Sequence, residues 1–317
     1  MGPSQIRKEA TEENGIEKAL VTGANGFIGR QLCGNNHIGM IRDLPNIDGF
    51  IQGDLLDLDS LVSACKGIDV IYHCAGYAHA FTKSDPLMHW KINFEGTKNL
   101  LHAAVICGVK KFIFFSSVKT EEEVLTAYGE SKLAAEGEVL KCGKEFNIHV
   151  VNLRLSMVYG FGSRGNLERI IRGVAQGWFP PIPNTNNKRC LIHIRDVISA
   201  AKLVARSPKA SGNTYILTDG NYYSTHYLYQ EIRKALGLPP ASWFIPKSIL
   251  KALAIFGDFV GTLTKIVFPL NSETLKRLTE SEVYTSEKIR QDLGWQSKVS
   301  LEAGLKDSID AFEAKKK

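Results

Sequence analysis

The chain has 317 residues, 44% of them apolar and 23% charged, with a formal net charge of +6. That length and composition give enough apolar material for a sizeable core and fit about two domains, which excludes a disordered or collagen-like chain. Three of the positive charges are the terminal Lys315, Lys316 and Lys317. The remainder are scattered, so the clustered basic surface of a nucleic-acid binder is not expected.

In chain order, residues 1–15 are polar and read as a mobile, solvated arm without the apolar stretch of a signal peptide. Residues 18–22 form a short apolar strand, followed at once by a glycine-rich turn at 23–29. Further strands are expected at 38–41, 50–52, 70–73, 112–115 and 150–153. Several are near-continuous apolar runs, the pattern of parallel strands covered on both faces. Helices are expected at 55–66, 90–108 and 127–142. This alternation predicts an α/β fold, a doubly wound parallel sheet of the Rossmann type, over 16–160. From about 161 the texture changes. Glycines 160, 162 and 165 and the prolines at 180, 181 and 183 mark loops, and short strands at 191–194 and 214–217 alternate with helices at 196–206 and 224–236. A smaller substrate domain is expected over 161–317, with returns to the sheet near 189–218. The six cysteines show neither CxxC pairs nor metal-ligand spacing, so they read as reduced core thiols of a cytoplasmic protein, with no metal site. No apolar run approaches the roughly 18 residues of a membrane span.

The turn Gly23-x-x-Gly26-x-x-Gly29 lies between a strand and a helix. There the first glycine permits the tight turn, the second lets backbone approach a pyrophosphate, and the third lets helix and strand pack closely. A helix N-terminus adds free N–H groups and a positive dipole end. The spacing therefore predicts a dinucleotide site formed by Gly23, Gly26, Phe27, Ile28 and Gly29. From Gly29 only thirteen residues lead to Arg42, against the usual gap of about 20 to the ribose-recognising position. The first helix must then be short, about two turns. Arg42 would hold a 2′-phosphate (NADP) and Asp43 a 2′-hydroxyl (NAD); both also read as solvated loop charges. Asp54 and Leu55 follow the third strand, where Asp54 either meets an adenine amino group or caps the next helix. Ala75 follows the fourth strand, where small residues let backbone approach a cofactor.

Tyr128 and Lys132 are spaced i, i+4 at the start of a helix, which puts them on one face. An ammonium beside a phenol lowers its pKa from about 10 toward neutrality, making a general acid/base for a carbinol or carbonyl. The spacing alone is a weak signal, since Tyr284 and Lys288 repeat it. The context is stronger: Ser116 and Ser117 end the strand 112–115, at the same sheet edge as the glycine turn, where a hydroxyl can hold the reacting oxygen.

With these motifs the chain resembles an extended short-chain dehydrogenase/reductase of the NAD-dependent epimerase/dehydratase family. TGANGFIGR, GDLLD, HCAGYAHA, KINFEGTKNLLHAA, KKFIFFSSVK, YGESKLAAE, LRLSMVYGFGSRGN, IHIRDV and KIRQDLGW carry the resemblance, over about 17–312. It implies Ser117, Tyr128 and Lys132 as catalytic residues. It also implies a cofactor, NAD in preference to NADP, held by Gly23, Gly26, Gly29, Asp54 and Ala75, with Asn93, Tyr128 and Lys132 contributing. His79, Arg164 and Asn166, with Ser117, would lie toward the substrate. Met157 stands where hexose epimerases commonly carry Asn. HCAGYAHA and SSVK instead look like the branch of UDP-sugar 4-epimerases and UDP-4-keto-sugar reductases.

The expected activity is epimerisation or reduction at C4 of a UDP-hexose. A sterol-type 3β-hydroxysteroid dehydrogenase and a non-catalytic NAD(P)-binding protein are the alternatives. A nucleotide sugar is the expected partner, with a homodimer as a further possibility. Residues 249–268 form a helix whose charges, Lys251, Asp258 and Lys265, share one narrow stripe while Leu250, Leu253, Phe256, Val260, Leu263 and Val267 fill much of the rest. Such a helix is either buried on most sides or meets a membrane surface or an apolar aglycone.

Overall fold

The apolar runs become parallel strands because successive side chains point to opposite faces, and both faces are covered. The computed structural model describes residues 17–34, 37–43, 48–78, 85–163, 165–264 and 270–314. The expected arm at 1–15, His79, Arg164 and positions 265–268 lie outside the described residues. The first half runs β1 (Ala19–Thr22), α1 (Gly29–Leu32), β2 (His37–Ile41), β3 (Phe50–Gln52), α2 (Leu58–Cys65), β4 (Val70–His73), α3 (Pro86–His89), a π-helical turn (Trp90–Glu95), α4 (Gly96–Ile106), β5 (Lys111–Ser117), α5 (Ala127–Phe146) and β6 (His149–Leu155). The second half runs β7 (Met157–Tyr159), α6 (Asn166–Ala175), β8 (Leu191–His193), α7 (Ile194–Arg206), β9 (Asn213–Leu217), α8 (Thr225–Ala235), α9 (Lys247–Thr264), α10 (Ser272–Thr279), α11 (Glu287–Leu293) and α12 (Leu301–Ala314).

Seven strands form one sheet in the order β3-β2-β1-β4-β5-β6-β9, every pairing parallel. Leu20, Ile71, Phe112, Phe114 and Val150 face Leu61, Leu100 and Val139 of α2, α4 and α5. The alternate residues Val21, Val70, Ile113, Val151 and Leu153 face Val197, Ala201, Val204 and Ile289 of α7 and α11. The result is a three-layer, doubly wound Rossmann fold. The switch in strand order lies between β1 and β4, where such sheets open their ligand crevice beyond the carboxyl ends of the strands. A separate core joins Tyr159, Leu167, Ile171, Leu191, Leu228, Ile232 and Leu305 of β7, β8, α6, α8 and α12.

Several elements differ from expectation. Helix α1 has four residues, a single turn rather than two. Cys33 leaves it in an extended conformation, and His37 N donates to Gly34 O at 2.9 Å to start β2. Arg30 reaches from this turn to the Gly162 carbonyl at 2.9 Å. The expected helix at 90–108 is interrupted by the π turn, whose wider loop carries Asn93. The largest departure is α9. It packs on α10 through Leu250, Ala254 and Leu275, while Ile249, Leu253, Ile255, Phe256, Phe259 and Leu263 are exposed. The expectation of burial on most sides does not hold, because among the described residues only one flank meets a neighbour.

Candidate active site

Strand register brings the candidate residues to one edge. Thr22 of β1 stands opposite His73 of β4, and His73 opposite Phe114 of β5; β5 continues to Ser117. Gly23 follows Thr22 with φ +64°, and a Cβ there would lie 2.9 Å from Ala75 backbone atoms. Gly26 N donates to Gly23 O at 2.8 Å, and a Cβ on Gly29 would run into that same carbonyl. Only glycines fit this turn, which leaves a surface of bare backbone beside Ala75. That fits a dinucleotide, whose phosphates need close backbone approach. Phe27 and Ile28 close the turn, half-buried against the sheet core.

A second group lies beside it. Tyr128 is in the first turn of α5, where the Thr126 hydroxyl caps the helix by accepting from Gly129 N at 3.3 Å. A Cβ on Gly129 would lie 2.6 Å from Lys119 O. The glycine therefore lets α5 press against the turn after β5 and brings Tyr128 to Ser117. Burial pushes the Tyr128 phenol up from its ordinary value, and a hydrogen bond with the Ser117 side chain opposes that rise. Lys132 lies one turn further along α5. Its ammonium donates to Phe115 O at 2.7 Å, lies 4.2 Å from the centroid of the Phe114 ring, and is brought down to about 8 by burial. It sits beneath Gly76, whose Cβ would be 3.8 Å from Nζ.

Asn93 organises the strand-to-helix loop. Its Oδ1 accepts from Tyr77 N at 2.7 Å, and its Nδ2 donates to Tyr77 O at 3.1 Å and Ser131 Oγ at 3.2 Å. Ser131 in turn donates to Tyr128 O at 2.9 Å. A fully buried histidine connects this cluster to the glycine turn. Thr97 Oγ1 donates to Asn93 O at 2.6 Å, so it must accept from His73 Nε2 at 3.0 Å. The bare Nδ1 then accepts from Thr22 Oγ1 at 2.7 Å, and Thr22 accepts from Ala75 N at 3.1 Å. Each group donates once and accepts once, which fixes the tautomer. Burial, with the Lys132 charge adding to it, holds the ring neutral, down to about 3.

The family model of the NAD dependent epimerase/dehydratase family matches residues 19–217, the stretch that builds both groups. The chain belongs to the NAD-dependent epimerase/dehydratase family. It is therefore an enzyme of an NAD-dependent family with a Rossmann fold. A UDP-glucose 4-epimerase of Vibrio cholerae is 29% identical, covering 92% of this chain and 94% of that protein. A 2-alkyl-3-oxoalkanoate reductase of Stenotrophomonas maltophilia is 24% identical over 91% of this chain and 97% of that protein. Among solved structures, UDP-glucuronic acid 4-epimerase from Bacillus cereus, in complex with UDP-glucuronic acid and NAD, has the same fold. Its TM-score is 0.72 at 22% identity, over 94% of this chain and 99% of that one.

For this family member the remaining sequence-predicted residues separate. Asp54 is not a helix cap: α2 begins at Leu58, and Asp57 caps it by accepting from Asp59 N and Ser60 N. Asp54 Oδ1 accepts from Leu56 N at 2.9 Å, and Leu55 is buried against Gly96. Arg42 is exposed and lies 3.5 Å from Asp43. Asn166 opens α6, and among the described residues no hydrogen bond joins it to Ser117, Tyr128 or Lys132. Tyr284 precedes α11 rather than lying on it, so it does not form a second tyrosine–lysine pair with Lys288, which donates to Asn213 at 2.5 Å. Sequence reasoning missed Thr22, His73, Thr97, Ser131 and Gly129. The available signals were His73 at a strand end, the i, i+4 pair Asn93 and Thr97, and the glycine directly after Tyr128. It also missed His89, buried edge-on to Tyr128 at 5.6 Å between ring centroids.

Proposed function

We propose that this enzyme acts at C4 of a UDP-hexose, with Tyr128 as general acid/base, as an epimerase or as a reductase of the 4-keto sugar. The pairing of Ser117 with Tyr128, beside the bare backbone at Gly23 and Ala75, carries the reading. In it the dinucleotide rests against Gly23, Gly26, Phe27, Ile28, Gly29, Asp54, Leu55 and Ala75, with Asn93, Tyr128 and Lys132 near the reactive end. NAD is favoured over NADP, in keeping with the NAD-dependent family to which the chain belongs. The nicotinamide, when bound, supplies the hydride donor or acceptor. Ser117 Oγ holds the sugar oxygen, and Tyr128 Oη gives or takes its proton. His79, Arg164 and Asn166 would face the nucleotide sugar. Unpaired cysteines and a nucleotide-sugar substrate fit a cytoplasmic enzyme.

Mass spectrometry of cofactor released from the purified protein, with a UDP-sugar and UDP-4-keto-sugar turnover screen, tests both readings. Tight NAD with no net consumption supports epimerisation, and stoichiometric NAD(P)H consumption supports reduction. Tyr128→Phe should lower turnover by about 10² to 10⁴ with cofactor binding retained. A variant holding more than about a tenth of the activity would remove Tyr128 from its assigned role.

A further inference from the structure

We propose that the outward face of α9 is a membrane-docking surface that seats on an anionic lipid bilayer. The helix has 18 residues and three distinct sides. Leu250, Ala254 and Gly257, spaced four and three apart, are buried, and the first two cluster with Leu275 of α10. Ile249, Phe256 and Leu263, seven apart, make one outward stripe, flanked by Ile255 and Phe259 on one side and Leu253 on the other. Ile255, Phe259 and Leu263 are 65%, 61% and 69% exposed. Six large apolar side chains exposed on one helix are far more than the scattered apolar residues of an ordinary surface.

The third side identifies the occupant. It carries Lys247, Lys251 and Asp258. Asp258 accepts from Ser272 N at 3.2 Å where α10 begins. Lys247 and Lys251 have no ion pair among the described residues and are exposed. Lys251 lies next to Ile255 around the helix, at the border of the apolar face. A bilayer with anionic headgroups accommodates both features, taking the apolar face below the headgroups and the uncompensated ammonium groups among them. The helix would lie along the surface, because no helix among the described residues is long and apolar enough to cross a membrane.

Sedimentation of the full chain with vesicles tests this independently of any activity. The wild type should pellet with phosphatidylcholine vesicles containing phosphatidylglycerol, bind pure phosphatidylcholine less, and lose the preference at high salt. The triple variant Phe256→Ser, Phe259→Ser, Leu263→Ser should partition on the order of a hundredfold less, with an unchanged circular dichroism spectrum and urea midpoint. Lys247→Ser with Lys251→Ser should keep the apolar component and lose the salt dependence. Should the triple variant unfold, the single changes Phe259→Ser and Leu263→Ser, both at exposed positions, should each still weaken binding. Wild-type protein that stays in the supernatant, or folded variants that bind undiminished, would overturn the proposal. So would a wild-type dimer that the triple variant converts to monomer with no vesicle binding, which would assign the face to a second copy of this chain.

Discussion

His73 makes this protein acid-sensitive by a calculable amount. At pH 8 the ring is neutral in both the folded and the unfolded chain. At pH 5 the unfolded ring, with an ordinary value of 6.5, has bound its proton, while the folded ring, held down to about 3, has not. The unfolded state then binds more protons, so stability rises with pH across this window and falls as acid is added. About 1.5 pH units at roughly 1.4 kcal/mol each give a loss of about 2 kcal/mol between pH 8 and pH 5 from this residue alone. His73→Gln removes the titration while keeping a donor toward Thr97. It leaves Thr22 without its acceptor, which costs about 1–2 kcal/mol at either pH. Urea unfolding of both proteins at pH 8 and pH 5 isolates the effect. His149 and His193, whose values burial also lowers, titrate alike in both and cancel. The gap of about 1–2 kcal/mol at pH 8 should close or reverse at pH 5, a change of about 2 kcal/mol. Parallel losses in the two proteins would mean that His73 accepts a proton in the folded state, and the directed chain from Ala75 to Asn93 would be wrong.

Gly129→Ala would put a Cβ 2.6 Å from the Lys119 carbonyl. It should cost about 1–3 kcal/mol by overpacking and lower kcat more than it raises KM, because it separates Tyr128 from Ser117; full activity would refute the close-approach argument. Gly23→Ala meets Ala75 at 2.9 Å and a φ of +64°. It should weaken cofactor binding by about tenfold or more, since a left-handed residue with a Cβ costs roughly 1–2 kcal/mol; titration of NAD(H) by fluorescence checks it. Arg42→Ala should leave the affinity for NAD unchanged while lowering that for NADP, and an unaltered NADP/NAD ratio would remove Arg42 from the ribose site.

The parallel sheet was legible because its strands are apolar on both faces, as at Phe112, Ile113, Phe114 and Phe115, and such runs have few other homes. The glycine turn was legible because its spacing encodes backbone geometry directly. The partner of Lys132 was not legible, because residue spacing fixes a helix face but not the direction of a long side chain, and its ammonium donates to Phe115 O. The His73 chain was hidden for a related reason. Thr22, His73 and Thr97 belong to three different elements, brought together by strand register for Thr22 and His73 and by the packing of α4 on the sheet for Thr97. The exposure of α9 was beyond reach of periodicity, which reports that a face is apolar but not whether anything covers it.

Strand β9, at Asn213–Leu217, pairs with β6 along Val151–Leu155. It pairs the edge of β6 that residues up to 160 leave unfilled and becomes the outer strand itself, with α11 held against it by Tyr215 Oη donating to Asp292 Oδ2 at 3.1 Å. On a ribosome, the first six strands emerge and can pair while β6 still presents bare N–H and C=O groups to any passing strand. The last partner arrives only after β7, α6, β8 and α7 have been made. Until then the long crossover holds a sticky intermediate. A fragment cut at 160 would keep that open edge permanently and should aggregate, although it contains the whole glycine turn, Ser117, Tyr128 and Lys132.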